Sequence, residues 1–196
     1  MALKEQYNQR LQRIEQACKR AGRTSGEITL VAVTKGISPE KINKAIKQGI
    51  KIIGENRIQE AEKKFPLLLP VQKHFIGHLQ TNKVKKAMQL FDCIQSVESM
   101  KLAQEIDKHC RVLNKKMPVM IEVNISGEAQ KHGFGLDKVK EVYNEIKKLK
   151  HITIIGVMGI APNIEPEKTR PYFKKLKQLA DHVNLKHCSM GMSNDF

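Results

Sequence analysis

The chain has 196 residues, 40% hydrophobic and 5% aromatic, which is enough apolar material for one domain with a sizeable core. Its formal charge is +15, but the lysines are spread along most of the length with no aromatic-interleaved motif or zinc-finger spacing beside them. Most of the charge is therefore read as solvated helix faces, with a nucleic-acid surface kept as the lesser alternative. Cys18, Cys93, Cys110 and Cys188 lie far apart, which argues against a disulfide framework or a zinc site and fits a reducing cytoplasm; neither a signal-peptide core nor a stretch of membrane-spanning length is present.

Tyr7, Leu11, Ile14, Cys18 and Ala21 recur at helical spacing and predict an amphipathic helix that stops near Gly22. Beyond it, β-branched runs predict strands over 28–35, 50–54, 74–78, 91–97, 118–125, 152–160 and 185–191, with 65–70 a proline-rich loop. Helical stripes fall between them: Ile42, Ala45 and Ile46; Leu102, Ala103, Ile106, Cys110 and Leu113; Val139, Val142, Tyr143, Ile146 and Leu149; Phe173, Leu176, Leu179, Ala180 and Val183. This alternation predicts an α/β chain, a TIM-type (β/α) barrel with an extra N-terminal helix, as a single domain over 1–196. Seven strands are counted and an eighth is not. At the C-terminus Ser193 reads as an N-cap and Asp195 as a first-turn acid, so a barrel incomplete at that end, with an open sheet edge, is expected.

Lys35 closes the run Leu30-Val31-Ala32-Val33-Thr34-Lys35, just before Gly36 and the helix start Ser38-Pro39-Glu40. That places an amine at the carboxyl end of a strand, where barrels carry their chemistry. A lysine held there and partly desolvated is freed as a nucleophile for a carbonyl, and an aldehyde cofactor is the carbonyl expected. Strand alternation puts Val31, Val33 and Lys35 on the inner face, with Ile52, Gly54 and Asn56, with His74, Ile76 and His78, and with Glu122 and Asn124. His74 and His78 have helical metal-ligand spacing, but in a strand they stand about 13 Å apart, too far for one ion. Asn124-Ile125-Ser126 matches a glycosylation acceptor and is read as accidental. The run from His187 to Asp195 passes from strand into Ser189, Gly191 and Ser193 before a new helix, a cup of backbone N–H groups suited to phosphate. Phosphate plus aldehyde describes pyridoxal 5′-phosphate.

Five runs carry a resemblance: Val31-Ala32-Val33-Thr34-Lys35, Gly54-Glu55-Asn56-Arg57-Ile58-Gln59-Glu60, His74-Phe75-Ile76-Gly77-His78-Leu79-Gln80-Thr81-Asn82-Lys83, Gly156-Val157-Met158-Gly159 and Ser189-Met190-Gly191-Met192-Ser193-Asn194-Asp195. Together they resemble, over essentially the whole chain, the pyridoxal phosphate homeostasis proteins, also described as proline synthase co-transcribed homologues. The resemblance implies the barrel of the alanine racemases and Lys35 as the lysine of the internal aldimine. It places Asn56, His78 and Met158 around the cofactor ring, and Ser189, Gly191 and Ser193 on the phosphate side. The run 128–134 resembles the family's loop after the fifth strand, near the mouth. Family members continue with a final strand bearing an Arg-Ile-Gly motif that helps hold the phosphate, and none follows Phe196, so weakened cofactor affinity is expected.

Racemisation needs a second acid–base group across the cofactor. In racemases that tyrosine comes from another domain, and Tyr7, Tyr143 and Tyr172 fall on predicted outer helices. The expected function is therefore cofactor holding without robust catalysis: a cytoplasmic protein, monomer or weak dimer, that keeps pyridoxal 5′-phosphate as a lysine aldimine, serves vitamin B6 homeostasis and hands the cofactor to apo-enzymes, with no metal and no membrane contact. The alternatives are a weak pyridoxal-phosphate-dependent amino-acid racemase or lyase and, more distantly, a basic RNA- or ribosome-associated binder.

Overall fold

In the computed structural model, which describes residues 3–128, 130–193 and 195, the apolar runs form one parallel sheet backed by helices. Its strands are β1 (Ala32–Val33), β2 (Ile52–Glu55), β3 (Gln72–Phe75), β4 (Cys93–Val97), β5 (Met117–Asn124), β6 (Phe134–Gly135), β7 (Ile152–Met158) and β8 (His187–Ser189). Neighbours follow the order β1-β2-β3-β4-β5-β7-β8, with β6 pairing separately on the end of β5. The helices are α1 (Leu3–Arg20), α2 (Pro39–Lys47), α3 (Ile58–Lys64), α4 (Val84–Leu90), α5 (Met100–Val112), α6 (Val139–Ile146) and α7 (Pro166–His182). The sheet curls into a half-barrel, so that Ser189 on β8 reaches across to Gln95 on β4, its Oγ donating to Oε1 at 2.6 Å. Among the described residues no strand joins β1 to β8, and these two are the sheet's edges. None of the described helices is long and apolar enough to cross a membrane.

Local chemistry sets the element ends. Arg23 N–H reaches back to the Cys18 carbonyl at 2.9 Å around Gly22, whose φ of +63° is the left-handed cap that stops α1. Pro39 opens α2, and the Ser99 hydroxyl accepts from Leu102 N–H at the start of α5. Of the α1 stripe only Cys18 is buried.

The strand parity holds. Ile53, Phe75, Ile94, Ile121, Val123 and Ile125 are buried in the layer between sheet and helices, where Phe91 meets Phe65 and Phe75 edge-on at centroid distances of 5.2 and 5.1 Å. On the other face Gly54 lies between Val31 and Ile76, and the in-register pairs Val33–Gly54 and Gly54–His74 carry that inner row across three strands. Three expectations need correcting. The third strand stops at Phe75, because the chain closes onto Asn56 at Gly77, and His78 lies beyond the strand. The second correction is Leu113, expected in a core stripe; it falls past the end of α5 and is exposed. Thirdly, the loop after β5 contributes the short β6, which the sequence reading did not include. The expected helix start at Ser193 runs over Asn194 and Phe196, which lie outside the described residues.

Candidate functional site

β1 ends in a tight turn that carries Lys35. Ile37 N–H donates to the Thr34 carbonyl at 3.1 Å, and Gly36 has φ +71°, the left-handed conformation that a type II turn requires at its third residue. Behind the turn lies a buried ion cluster. Lys64 Nζ donates to the Thr34 carbonyl at 2.7 Å, to Glu55 Oε1 at 2.6 Å and to Glu60 Oε1 at 2.7 Å. The Thr34 hydroxyl donates to Glu55 Oε1 at 2.7 Å, and Gly36 N–H donates to Glu60 Oε1 at 2.6 Å. Burial works against the charge on Lys64, but the hydrogen bonds and charges of Glu55 and Glu60 outweigh it and raise its pKa. The Lys64 hydrogen bond, then that from Gly36, holds the Glu60 carboxyl below its usual range.

Lys35 itself is exposed, and no hydrogen-bond or ion-pair partner lies against it among the described residues. The expected desolvation is absent because β1 is an edge strand with an open inner side: Val33, on the same face, is 49% exposed. Lys35 and the half-buried Asn56 each follow the in-register pair Val33–Gly54 by two residues, at the carboxyl ends of β1 and β2. Asn56 Oδ1 is shielded from solvent and has no hydrogen-bond partner, an acceptor left to be satisfied by something else. Asn56 and His78 line one cavity of about 230 Å³, together with Gln59, Gln80 and Lys83. A larger cavity of about 450 Å³ lies elsewhere, between α1 and α7, and contains none of the predicted residues.

Met158 is 5% exposed on the inner face of β7, in register with Glu122 on one side and Ser189 on the other. Gly191 and Ser193 follow β8 on exposed backbone, Gly191 with φ +88°. The Met192 N–H of this cup donates to the Asp195 carboxylate, so an anion from the chain itself occupies one of the donors expected to face phosphate. Tyr7, Tyr143 and Tyr172 lie on α1, α6 and α7, as anticipated.

The half-barrel also holds polar groups that the sequence reading left without roles. Gln95 accepts from Ser189 through Oε1, so its amide nitrogen faces His74 Nδ1 at 2.7 Å and the imidazole must accept there. Burial pushes the His74 pKa down, against an opposing pull from Asp92, which suits a neutral acceptor. On β5, burial lifts the Glu122 carboxyl to about 7; neighbouring Glu98 adds to the shift and His78 opposes it. Glu98 in turn lies between two imidazoles, 2.8 Å from His78 Nδ1 and 3.1 Å from His132 Nδ1, and the two rings stack 4.3 Å apart at 20°. The ligand atoms of this trio fall within 4.8 Å of one another, a spacing that suits a cation, yet near-parallel rings aim their in-plane lone pairs side by side instead of at one point. The histidine cluster thus pairs His78 with His132, not with His74. Signals for these groups existed: Gln95 and Ser96 interrupt an otherwise apolar strand, and Glu60 and Lys64 stand four apart on one helix.

The site thus belongs to a parallel α/β half-barrel with a lysine on the turn after its first strand and a polar layer inside. The family described as alanine racemase, N-terminal domain, matches residues 9–196. Similar curated proteins are the pyridoxal phosphate homeostasis proteins of Aquifex aeolicus, 42% identical and covering 98% of this chain and 88% of that protein, and of Pasteurella multocida, 30% identical over 100% and 89%. The chain belongs to the alanine racemase N-terminal domain family and, within it, to the pyridoxal phosphate homeostasis proteins. Among solved structures, a Bifidobacterium adolescentis protein described as unknown superposes with a TM-score of 0.93 at 30% identity, covering 98% of this chain and 86% of its own. PipY of Synechococcus elongatus, solved with PLP bound, gives a TM-score of 0.77 at 27% identity over 93% and 90%. Alanine racemase of Clostridium difficile shares the fold, with a TM-score of 0.72 at 16% identity over 86% of this chain and 47% of its own.

Proposed function

We propose that the protein binds pyridoxal 5′-phosphate through Lys35, keeps it in reserve in the cytoplasm and releases it to apo-enzymes. The observation that carries this reading is what stands at the carboxyl ends of two neighbouring strands: an unpartnered amine on the pinned turn after β1 and, just past β2, a shielded Asn56 oxygen that lacks a donor. The pyridoxal phosphate homeostasis relatives and PLP-bound PipY support the same cofactor. The residues present fit it. Lys35 would hold the cofactor through its amine, and the cofactor would supply the aldehyde that such an amine reacts with. Asn56 Oδ1 would be free to accept from a donor of the bound group, His78 would flank the ring from the adjoining cavity, and Met158 would offer an apolar surface. Ser189, Gly191 and Ser193 would present hydroxyl and backbone N–H donors to phosphate, with the Asp195 carboxylate leaving the cup. An open inner face suits release more than a closed reaction chamber, and four free cysteines, three of them buried, fit a reducing compartment.

The test is covalent mapping. Adding pyridoxal 5′-phosphate should produce a visible absorbance band, and borohydride should fix the cofactor to the peptide containing Lys35; Lys35→Ala should lose both. Label on another lysine, or an unchanged band in Lys35→Ala, overturns the assignment. Sustained amino-acid turnover that is lost in Lys35→Ala would replace holding with racemase or lyase activity.

A further inference from the structure

We propose that Glu60 and Lys64, with Glu55 behind them, are positioning residues for the Lys35 amine, clamping the backbone on both sides of it. The inference rests on the cofactor reading above and extends it to residues that touch no cofactor.

The bonds are specific in where they land. Lys64 spends its three donors on two carboxylates and on one backbone atom, the Thr34 carbonyl immediately before Lys35. Glu60 takes the one N–H immediately after Lys35, that of Gly36, at 2.6 Å. Glu55 fixes the Thr34 side chain, and the Thr34 carbonyl also closes the turn with Ile37. The four-residue spacing of Glu60 and Lys64 puts both on the face of α3 that meets the ends of β1 and β2. Docking α3 does not require ions there, since Ile58, Ala61 and the following Phe65 already bury its apolar side. Taking Glu55 and Lys64 out of water is costly, and apolar residues would staple a helix at least as well. What the ions add is a fixed direction for the stem of an exposed side chain that nothing else holds. The Lys64 side chain is 6% exposed and that of Glu55 0%, whereas Glu60 is 27% exposed, so Glu60 is the member that can be altered without leaving a charge buried alone.

The experiment compares Glu60→Gln, which keeps an acceptor for Gly36 N–H, with Glu60→Ala, which removes it. In the apo protein, Gly36 amide exchange should accelerate about tenfold or more in Glu60→Ala and stay within about threefold of wild type in Glu60→Gln. The apparent Kd for pyridoxal 5′-phosphate and the rate of borohydride trapping at Lys35 should split the two variants in the same way, by about tenfold. A purely structural role predicts instead that both readouts follow thermal stability, with no separate rescue by glutamine. Unchanged Gly36 exchange, or wild-type trapping at Lys35 in Glu60→Ala, overturns the positioning role while the cofactor reading stands. Failure of the wild type itself to trap at Lys35 overturns both.

Discussion

Replacing Glu122 by glutamine should remove a pH-dependent cost that the wild-type fold carries. Glu122 is 8% exposed on the inner face of β5, and burial together with Glu98 lifts its carboxyl from 4.5 to about 7, with His78 pulling the other way. Between those two pH values the folded protein holds a proton at Glu122 that the unfolded chain has released, so stability falls as pH rises through the interval and levels off above the folded value. At about 1.4 kcal/mol per pH unit, the interval amounts to roughly 3 kcal/mol. Glutamine keeps the shape and cannot ionise. Urea unfolding of wild type and Glu122→Gln from pH 4 to 8 should therefore give curves that agree near pH 4 and separate steadily toward neutrality, the variant gaining up to roughly 3 kcal/mol. Groups that do not interact with Glu122 cancel in the difference. Parallel curves between pH 5 and 7 would show that Glu122 titrates like an exposed carboxylate, and the argument from burial would be wrong.

Gln95→Leu should strand both His74 Nδ1 and the Ser189 hydroxyl and cost about 1–3 kcal/mol, read as a lower urea midpoint with an unchanged slope; a neutral result would mean that water replaces the amide. Gly156→Ala should destabilise the β7–β8 edge, because its Cβ would stand 2.2 Å from the His187 carbonyl oxygen, a backbone atom that cannot swing aside. We expect about 1–3 kcal/mol and faster amide exchange confined to β8, and wild-type exchange there would refute the clash.

The alternation of strand and helix periods was enough to read a parallel α/β barrel, because each period records which side of an element is buried. Seven strand positions and the inward placement of Gly54, His74 and Glu122 follow from that record. It fails where the backbone departs from the regular element. His78 keeps strand parity with His74 on paper, but the chain closes onto Asn56 at Gly77, where even one added Cβ would meet the Asn56 carbonyl at 2.5 Å. His78 consequently meets Glu98 and His132. Lys35 is expected to close a strand over 28–35, but β1 covers only Ala32–Val33 and Lys35 sits on the turn after it; its solvent exposure depends on what covers the inner face, a long-range property that no local pattern encodes.

The ion cluster under the Lys35 turn was the harder case, since each member has an ordinary local explanation. Glu60 and Lys64 read as an i,i+4 surface pair, worth a few tenths of a kcal/mol when exposed, and Glu55 reads as a polar residue ending a strand. The anomaly lies in parity. Glu55 follows Gly54, which faces inward, and Thr34 precedes Lys35, so both polar side chains point to the helix side of the sheet, where Ile53, Phe75 and Ile94 form the core. A carboxylate on that face demands a cation, and α3 is the helix that follows β2 and packs beside it. Lys64, at the end of α3 and in step with Glu60, is placed to supply that charge to the carboxyl ends of both strands. A charged residue on the helix-facing parity of a buried strand is therefore a signal to look for its counter-ion on the next helix. Here that search leads from Glu55 to the two residues that bracket Lys35.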